Sequence, residues 1–450
     1  MGFLLLLPLL VSFAGAYMLV KLRFFFFLHP IKTAKKFFSG VRGEGSFLSL
    51  SLALAGTLGV GNILGVSLAL ISGGAGALFW MLLSSLFSSV IKYSEVILAT
   101  DTKEKEYGMI SIISKSFGKA GASVGAIYAS LALVLSFVMG GMLQARSVGG
   151  AMCEVLGTDA LIVAPLLVMC VIAAVQGGAG KIRKIIAKIL PLTTIIYIFM
   201  TACVIFTHFS SLGRAMSEII VSAFSPRSIG AGVGAHLALQ ALKEGFACGM
   251  LSNEAGAGTS SFAHGTQRKN TPVEGGILGA FEVFFDTGVI CMLTGLAILV
   301  SVPNFSDYTS AMLLVYDALF STFGYTAAPL LAASVFLFAS STVICWFYYG
   351  GVCKRYLFGN KFSRLFSALF FGFVTLGIFS RDGASVGLAD TILLLMSAPT
   401  LFAVIKNSDR ISALSENENM FSKGKIKANE FERKAVRRLR KASNRTRSRS

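Results

Sequence analysis

Two glycine-rich stretches contain the residue types that could bind a small charged cargo within a membrane. The first runs from Gly56 to Gly65 inside an apolar segment at about 47–71, and the second runs from Gly249 to Gly258 inside a segment at about 236–264. Glycine weakens a helix, and backbone that leaves a helix at membrane depth is tolerated where it faces protein or a cavity. Two glycine-interrupted spans in corresponding halves of a membrane protein indicate a transport site.

The polar residues at these breaks suit an amino acid and a cation. The free N–H groups and positive dipole at the start of a half-helix attract a carboxylate, whereas a small hard cation prefers carbonyl and hydroxyl oxygens. The side chains that supply such oxygens are Thr57, Asn62, Ser252, Asn253, Thr259 and Ser260. The alternative is that the glycines serve only close helix packing. Four glycines with Thr and Asn among them favour a binding site.

The elements that must position these residues are membrane helices. The 450-residue chain is 54% hydrophobic and 14% charged, with a mean hydropathy of +0.73, which is too apolar for a soluble fold. Eleven candidate spans follow, at about 2–20, 47–71, 74–101, 122–150, 158–177, 186–208, 236–264, 274–302, 326–352, 362–380 and 384–405. The sequence thus predicts an all-α polytopic membrane protein.

The first span could be misread as a signal peptide, because Ala14-Gly15-Ala16 resembles a cleavage site. No basic residue precedes its apolar core, and Lys21 and Arg23 follow at once. This arrangement favours a retained helix whose C-terminal end lies at the cytoplasm.

Loop charge predicts the orientation. The alternate loops that begin with about 21–46 carry 20 Lys and Arg residues, and their counterparts carry 3. The basic set is therefore expected in the cytoplasm together with the C-terminus, leaving the N-terminus outside, which suits a bacterial cytoplasmic (inner) membrane. Residues 406–450 hold 14 Lys and Arg against 5 Asp and Glu. This tail predicts contact with anionic lipid, and no nucleic-acid partner is expected.

Span parity predicts an internal repeat. Without the first span, five spans precede the long loop at 209–235 and five follow it, so the second half enters the membrane from the opposite side. The predicted organisation has an extra helix and basic loop (1–46), a five-helix repeat (47–208), a connector (209–235), an inverted five-helix repeat (236–405) and a basic tail (406–450).

Several motifs resemble those of the alanine/glycine:cation symporter family. Gly56 to Gly65, Gly73 to Met81 and Lys92 to Val96 resemble its GTxGxGNIxGV, GGxGAxFWM and KxxEV motifs, and Ser252 to Gly258 resembles its SNEAGMG break. Shorter matches surround Gln144, Asp286 and Trp346, and the resemblance covers about residues 1–405. It implies a sodium- or proton-coupled importer of small neutral amino acids with the inverted-repeat fold of the leucine transporter.

The resemblance also implies residue roles. It assigns the cargo to Gly59, Val60, Gly61, Asn62, Gln144, Leu251, Ser252, Asn253, Gly256 and Trp346, and the cation, Na⁺ by default, to Gly56, Thr57, Gly59, Asn62, Asp286, Ser341 and Thr342. Trp346 could instead be a packing aromatic, and the Ser341 and Thr342 hydroxyls could bond back to their own helix. Leu251 stands where members often have Phe and Cys345 where Gly is usual, so alanine or glycine is the family default for the cargo.

Charged residues within spans are costly and usually mark function or pairing. Asp286 could touch the coupling ion or cap a neighbouring helix, and Glu254 could bind a proton or hold unwound backbone. Lys92 and Glu95 are three residues apart, which favours a local ion pair. Asp390 lies in the last span without an evident partner.

Two other classes of protein, ion channels and enzymes, fit the sequence less well than a transporter. An ion channel would need a continuous polar face, whereas the polar residues here cluster at two breaks. An enzyme would need a nucleophile and a base, and Ser252 with His264 is the one loose candidate, so no enzymatic activity is expected.

Overall fold

The computed structural model describes residues 3–24, 28–102, 104–224, 232–265, 270–380 and 384–421. Within these ranges the chain is helical and contains no β-strand. Its helices are α1 (Phe3–Lys21), α2 (Pro30–Val41), α3 (Glu44–Thr57), α4 (Gly61–Gly73), α5 (Gly76–Thr100), α6 (Met109–Ser116), α7 (Gly118–Val155), α8 (Ala160–Val175), α9 (Gly178–Thr207), α10 (Leu212–Phe224), α11 (Gly232–Asn253), α12 (Ser261–His264), α13 (Pro272–Ser301), α14 (Ala311–Phe323), α15 (Ala327–Phe358), α16 (Ser363–Phe379), α17 (Ala384–Lys406) and α18 (Ser408–Phe421).

The eleven predicted spans fall mainly on helices, but residues 58–60 and 254–260 within two of them are not helical. Within the described ranges, six helices or helix pairs are long and apolar enough to cross a membrane, and the bent pair α3–α4 makes a seventh. Helices α1, α8 and α16 are shorter apolar segments. Helix α9 begins at Gly178 rather than near 186, and α11 ends at Asn253 rather than near 264. The protein is an integral membrane protein.

The first break separates α3 from α4. Helix α3 ends at Thr57, residues 58–60 are not helical, and α4 continues at an angle of 47° to α3. Helix α4 begins with a π-helical turn at Gly61–Gly65. The break falls where the glycines of the sequence are densest.

The second break is a loop of residues 254–260 between α11 and the short helix α12. Gly256 and Gly258 have positive φ angles of 93° and 77°, and Glu254 adopts φ 53° without being a glycine. Left-handed backbone is readily available to glycine, whereas a non-glycine residue there is strained by about 1–3 kcal/mol.

Helix α5 lies at the centre of the packing. It contacts α1, α11 and α13, so it joins the first predicted repeat to the second. On the other side of the molecule, α15 packs against α3, α7 and α9. Both broken segments are thereby enclosed by helices.

Two helices lie outside the bundle. Helix α2 packs on α13, where the Phe37 and Phe281 ring centroids are 4.0 Å apart. Helix α18 begins the tail and folds back on the bundle through Lys21 with Asp409, at 2.6 Å. The rest of the tail, to which the sequence assigns contact with anionic lipid, falls outside the described residues.

Candidate functional site

The carboxylate of Asp286 connects the two breaks. Its Oδ1 accepts a hydrogen bond from Asn62 Nδ2 at 2.5 Å, and its Oδ2 accepts one from the Ser252 hydroxyl at 3.0 Å. Thr287 also donates to Oδ2, at 3.1 Å. Asn62 opens the half-helix after the first break and Ser252 ends the helix before the second. One buried acidic side chain therefore holds both breaks together.

The atoms around Asp286 form an oxygen-rich cluster. Asn62, Asn253, Asp286 and Thr287 are each no more than 1% exposed, and Asn253 Nδ2 lies 3.2 Å from Thr287 Oγ1. The Asn62 Oδ1 atom is buried without a hydrogen-bond partner among the described residues. A buried amide oxygen is normally satisfied, and carboxylate, amide and hydroxyl oxygens are the ligands of a hard cation. The cluster can therefore hold a small cation.

A second group of predicted residues meets at Gly59. The Gln144 Oε1 atom accepts from the Val60 N–H at 3.4 Å, and the Thr342 hydroxyl lies 3.5 Å from the Leu58 carbonyl oxygen. A Cβ at position 59 would lie 3.0 Å from Gln144 Oε1 and 3.1 Å from Thr342 Oγ1. Glycine thus allows α7 and α15 to approach the unwound backbone closely.

The hydroxyls of α15 also bond within their own helix. Ser341 and Thr342 donate to the Phe338 carbonyl oxygen at 2.8 and 3.0 Å. Thr57 likewise reaches the Leu54 carbonyl at 3.4 Å. The Thr342 hydroxyl also contacts the backbone of the first break, at the Leu58 carbonyl oxygen.

A cavity of about 1030 Å³ lies over the first break. Of the predicted residues, it is lined by Gly56, Thr57, Gly59, Val60, Gly61, Gln144, Leu251 and Ser252. It is also lined by Thr309, Ser310 and Ser380, so it extends to the first residues of α14 and the last residues of α16. Next to Thr309 in sequence, Tyr308 donates a hydrogen bond to Asp317 at 2.5 Å, which raises the pKa of Tyr308 to about 12.

The first break offers backbone donors to this cavity. Residues 63 and 64 donate to the Val60 carbonyl. The Gly61 and Asn62 N–H groups donate to no side chain among the described residues, and the first N–H groups of a helix lack an acceptor within that helix. Gly61 lines the cavity. N–H groups at the start of a helix can bind an anionic group such as a carboxylate.

Four of the predicted cargo residues do not line the cavity: Asn62, Asn253, Gly256 and Trp346. The Gly256 N–H donates to Glu95 Oε1 at 2.8 Å, so this donor is already used. Trp346 is 1% exposed and packs against Gly140, where a Cβ would collide with the tryptophan. Its ring centroid lies 5.6 Å from that of Tyr349. Trp346 is thus a packing residue behind the wall in this conformation.

Three of the site segments contain π-helical turns. They are Gly61–Gly65, Ser136–Leu143 just before Gln144, and Phe284–Cys291 around Asp286. Such turns are rare and occur often at functional sites. Each one shifts the side chains that follow it by an extra residue, which the helical periodicity of a sequence does not reveal.

The buried charges also differ from the sequence-based expectation. Lys92 and Glu95 make no ion pair with each other within 4 Å; both bond to the second break instead. Glu282 pairs with His264, an interaction that the sequence did not suggest. Glu254 bonds to Thr259 at 2.6 Å and also lines the cavity. Asp390 lines the cavity as well, and the described residues offer it no hydrogen-bond partner.

In this helical membrane bundle, two broken helices meet at an oxygen-rich cluster below an open cavity. This arrangement is that of secondary transporters with a leucine-transporter-like fold. A solved Na⁺-coupled sialic acid symporter shares this fold, with a TM-score of 0.51, 13% identity, and coverage of 92% of this chain and 84% of that one.

The chain belongs to the sodium:alanine symporter family, whose profile matches residues 2–431. A sodium/alanine symporter of Methanococcus maripaludis is 30% identical over 395 residues, covering 85% of each chain. A probable sodium/glutamine symporter of Bacillus subtilis is 29% identical over 420 residues, covering 89% of this chain and 84% of the relative. The protein is therefore a cation-coupled amino-acid symporter and not an enzyme.

Proposed function

We propose that the protein couples Na⁺ entry to the import of small neutral amino acids, such as alanine or glycine, by alternating access. The observation that carries this proposal is Asp286, which accepts hydrogen bonds from Asn62 and Ser252 and so links the two breaks. A cation bound to these oxygens would stabilise the joined arrangement of both half-sites. The family membership supports Na⁺ as the coupling ion.

The cargo would lie in the cavity with its carboxylate at the start of α4. The start of α4, where no side chain caps the Gly61 and Asn62 N–H groups, supports this orientation. Gln144 and Ser252 border the same cavity with polar atoms, and Leu251 borders it with an apolar side chain. A short cargo side chain would contact Leu251, so its size would influence the choice of amino acid.

Two cation sites are proposed. One consists of Asn62 and Asp286 with the neighbouring Thr287 hydroxyl. The other lies between carbonyl groups of residues 56–59 and the Thr342 hydroxyl, which is 3.5 Å from the Leu58 carbonyl oxygen. Because Ser341 bonds back to α15, it would have to exchange this hydrogen bond for the ion.

The cavity is proposed to face the outside of a bacterial inner membrane. It extends to the loops that carry few basic residues, which the positive-inside rule assigns to the outside. The opposite end is closed by contacts such as Lys406 Nζ with the Ser116 carbonyl oxygen, at 2.5 Å. The conformation corresponds to an outward-open state, and import requires opening of this inner contact.

Proton coupling is the second candidate, because of Glu254. Its carboxyl group lines the cavity, and its Oε1 is buried without a hydrogen-bond partner among the described residues. A carboxyl at this position could carry a proton inward with the cargo.

Uptake into proteoliposomes tests these alternatives. Labelled alanine, glycine and glutamine are offered under an inward Na⁺ gradient, an inward proton gradient, or no gradient. The proposal predicts accumulation of alanine or glycine with the Na⁺ gradient. Accumulation with the proton gradient alone would favour Glu254 as the coupling group, and accumulation of glutamine alone would refute the proposed cargo.

A further inference from the structure

Two buried charged residues of α5 bind the loop of the second break. Lys92 Nζ donates to the Ser260 hydroxyl at 2.9 Å, and Glu95 Oε1 accepts from the Gly256 N–H at 2.8 Å. Both charged side chains are 0% exposed. Helix α5 belongs to the first predicted repeat and the loop to the second, so these bonds join the two repeats.

The free-energy cost of burying these charges indicates that both side chains have a specific role at the loop. An ionised side chain inside a membrane protein is expensive unless it is paired or bonded. Lys92 and Glu95 form hydrogen bonds with residues 260 and 256, respectively, rather than an ion pair with each other. Apolar residues at both positions would avoid this cost, but they would leave the loop without these partners.

The loop needs such partners because its backbone has left the helix. Part of its backbone lacks the regular helical hydrogen bonds: the Ala255 N–H donates to Asn253 Oδ1 and the Ala257 N–H to the Glu254 carbonyl oxygen. Groups left unpaired are costly in a buried position. Tyr128 satisfies one of them by donating to the Ala257 carbonyl oxygen at 2.6 Å. Glu95 satisfies the Gly256 N–H, which would otherwise be free to bind an anion.

We propose that Lys92 and Glu95 are positioning residues for the cation site. By fixing the middle and the end of the loop, at residues 256 and 260, they hold the loop in place, so that Ser252 and Asn253 just before it remain next to Asp286. The Glu95 carboxylate also accepts from the Gly256 N–H, so a cargo carboxylate cannot use this donor at the second break. The effect on transport rests on the proposed function, whereas the contact with the loop does not.

Hydrogen–deuterium exchange of the purified full-length protein tests the contact. In Glu95→Ala, the amides of residues 254–260 should exchange about tenfold faster. The reason is that loss of one charge-assisted hydrogen bond raises the equilibrium constant for opening of the loop by about tenfold. Glu95→Gln keeps an oxygen acceptor and should exchange nearly as slowly as the wild type. The exposed ion pair Lys115–Glu104, at 3.3 Å, supplies the control variant Glu104→Gln, which should leave these amides unchanged.

Sodium dependence of alanine uptake tests the positioning role at matched amounts of protein. Glu95→Ala and Lys92→Met should raise the Na⁺ concentration for half-maximal uptake about tenfold, while the maximal rate at saturating Na⁺ changes less than about twofold. Lys92→Arg should restore a value close to that of the wild type, because it can still donate to Ser260.

The outcomes separate the two proposals. Unchanged exchange at residues 254–260 in Glu95→Ala would overturn the inferred contact. Faster exchange with an unaltered Na⁺ dependence would overturn the positioning role. A wild-type protein without Na⁺-driven uptake would refute the proposed function, and the exchange experiment would still report on the contact.

Discussion

Replacing Asp286 by Asn should weaken Na⁺ binding by about 20-fold. At a typical cation–oxygen distance of about 2.4 Å and an effective dielectric constant of about 20, the attraction between a carboxylate and Na⁺ is about 7 kcal/mol. Desolvation of both charges offsets most of this attraction. If about one quarter remains, the loss is about 1.7 kcal/mol, which corresponds to about 20-fold in affinity.

The assay is alanine uptake into proteoliposomes over a range of Na⁺ concentrations, with equal amounts of reconstituted protein. Asp390→Asn is the matched control, because Asp390 lines the same cavity and has no hydrogen-bond partner among the described residues. Asp286→Asn should shift the half-maximal Na⁺ concentration, and Asp390→Asn should shift it less than about twofold. Equal shifts in both variants would mean that the general negative charge of the cavity, rather than a specific ligand, governs Na⁺ dependence.

Three further outcomes are expected. Gly59→Ala should raise the half-saturating alanine concentration about fivefold. The added Cβ would lie 3.0 Å from Gln144 Oε1 and 3.1 Å from Thr342 Oγ1, and the displacement of these groups would cost about one hydrogen bond. Gly65→Ala should behave like the wild type, because the atom nearest to its added Cβ would be 3.6 Å away. Na⁺ at about one hundred times its Kd should stabilise the purified protein by about 2.7 kcal/mol, measured as a rise in thermal unfolding temperature that K⁺ does not reproduce. Leu251→Ala should admit a larger neutral amino acid, measured by competition of leucine with labelled alanine, while glycine uptake is retained.

The positions of the helices and of both breaks could be predicted because their signals are local. A long apolar run predicts a membrane helix, and four glycines within ten residues predict where it is interrupted. Asp286 stood out for a similar reason, since an acidic residue in such a run is unusual. The resemblance to a family then restricted the class of function further than these patterns did.

The partners of the site residues could not be predicted, since they lie far apart in sequence. Asn62 and Asp286 are separated by 224 residues, and Lys92 and Ser260 by 168. For Lys92, Glu95 at i+3 would be a plausible partner in an isolated helix. In the folded protein, Lys92 instead donates to Ser260, which belongs to a different segment of the chain. The packing of Trp346 against Gly140 likewise depends on how α7 and α15 meet.

The two breaks differ in how their backbone donors are satisfied, and this difference gives them different roles. At the first break, the Gly61 and Asn62 N–H groups donate to no side chain among the described residues, so binding of a carboxylate there displaces no side chain. At the second break, the Gly256 N–H already donates to Glu95, so a competing carboxylate would have to displace a buried charged group. We therefore infer that the cargo carboxylate binds at the first break, while the second break contributes its side-chain oxygens through Ser252.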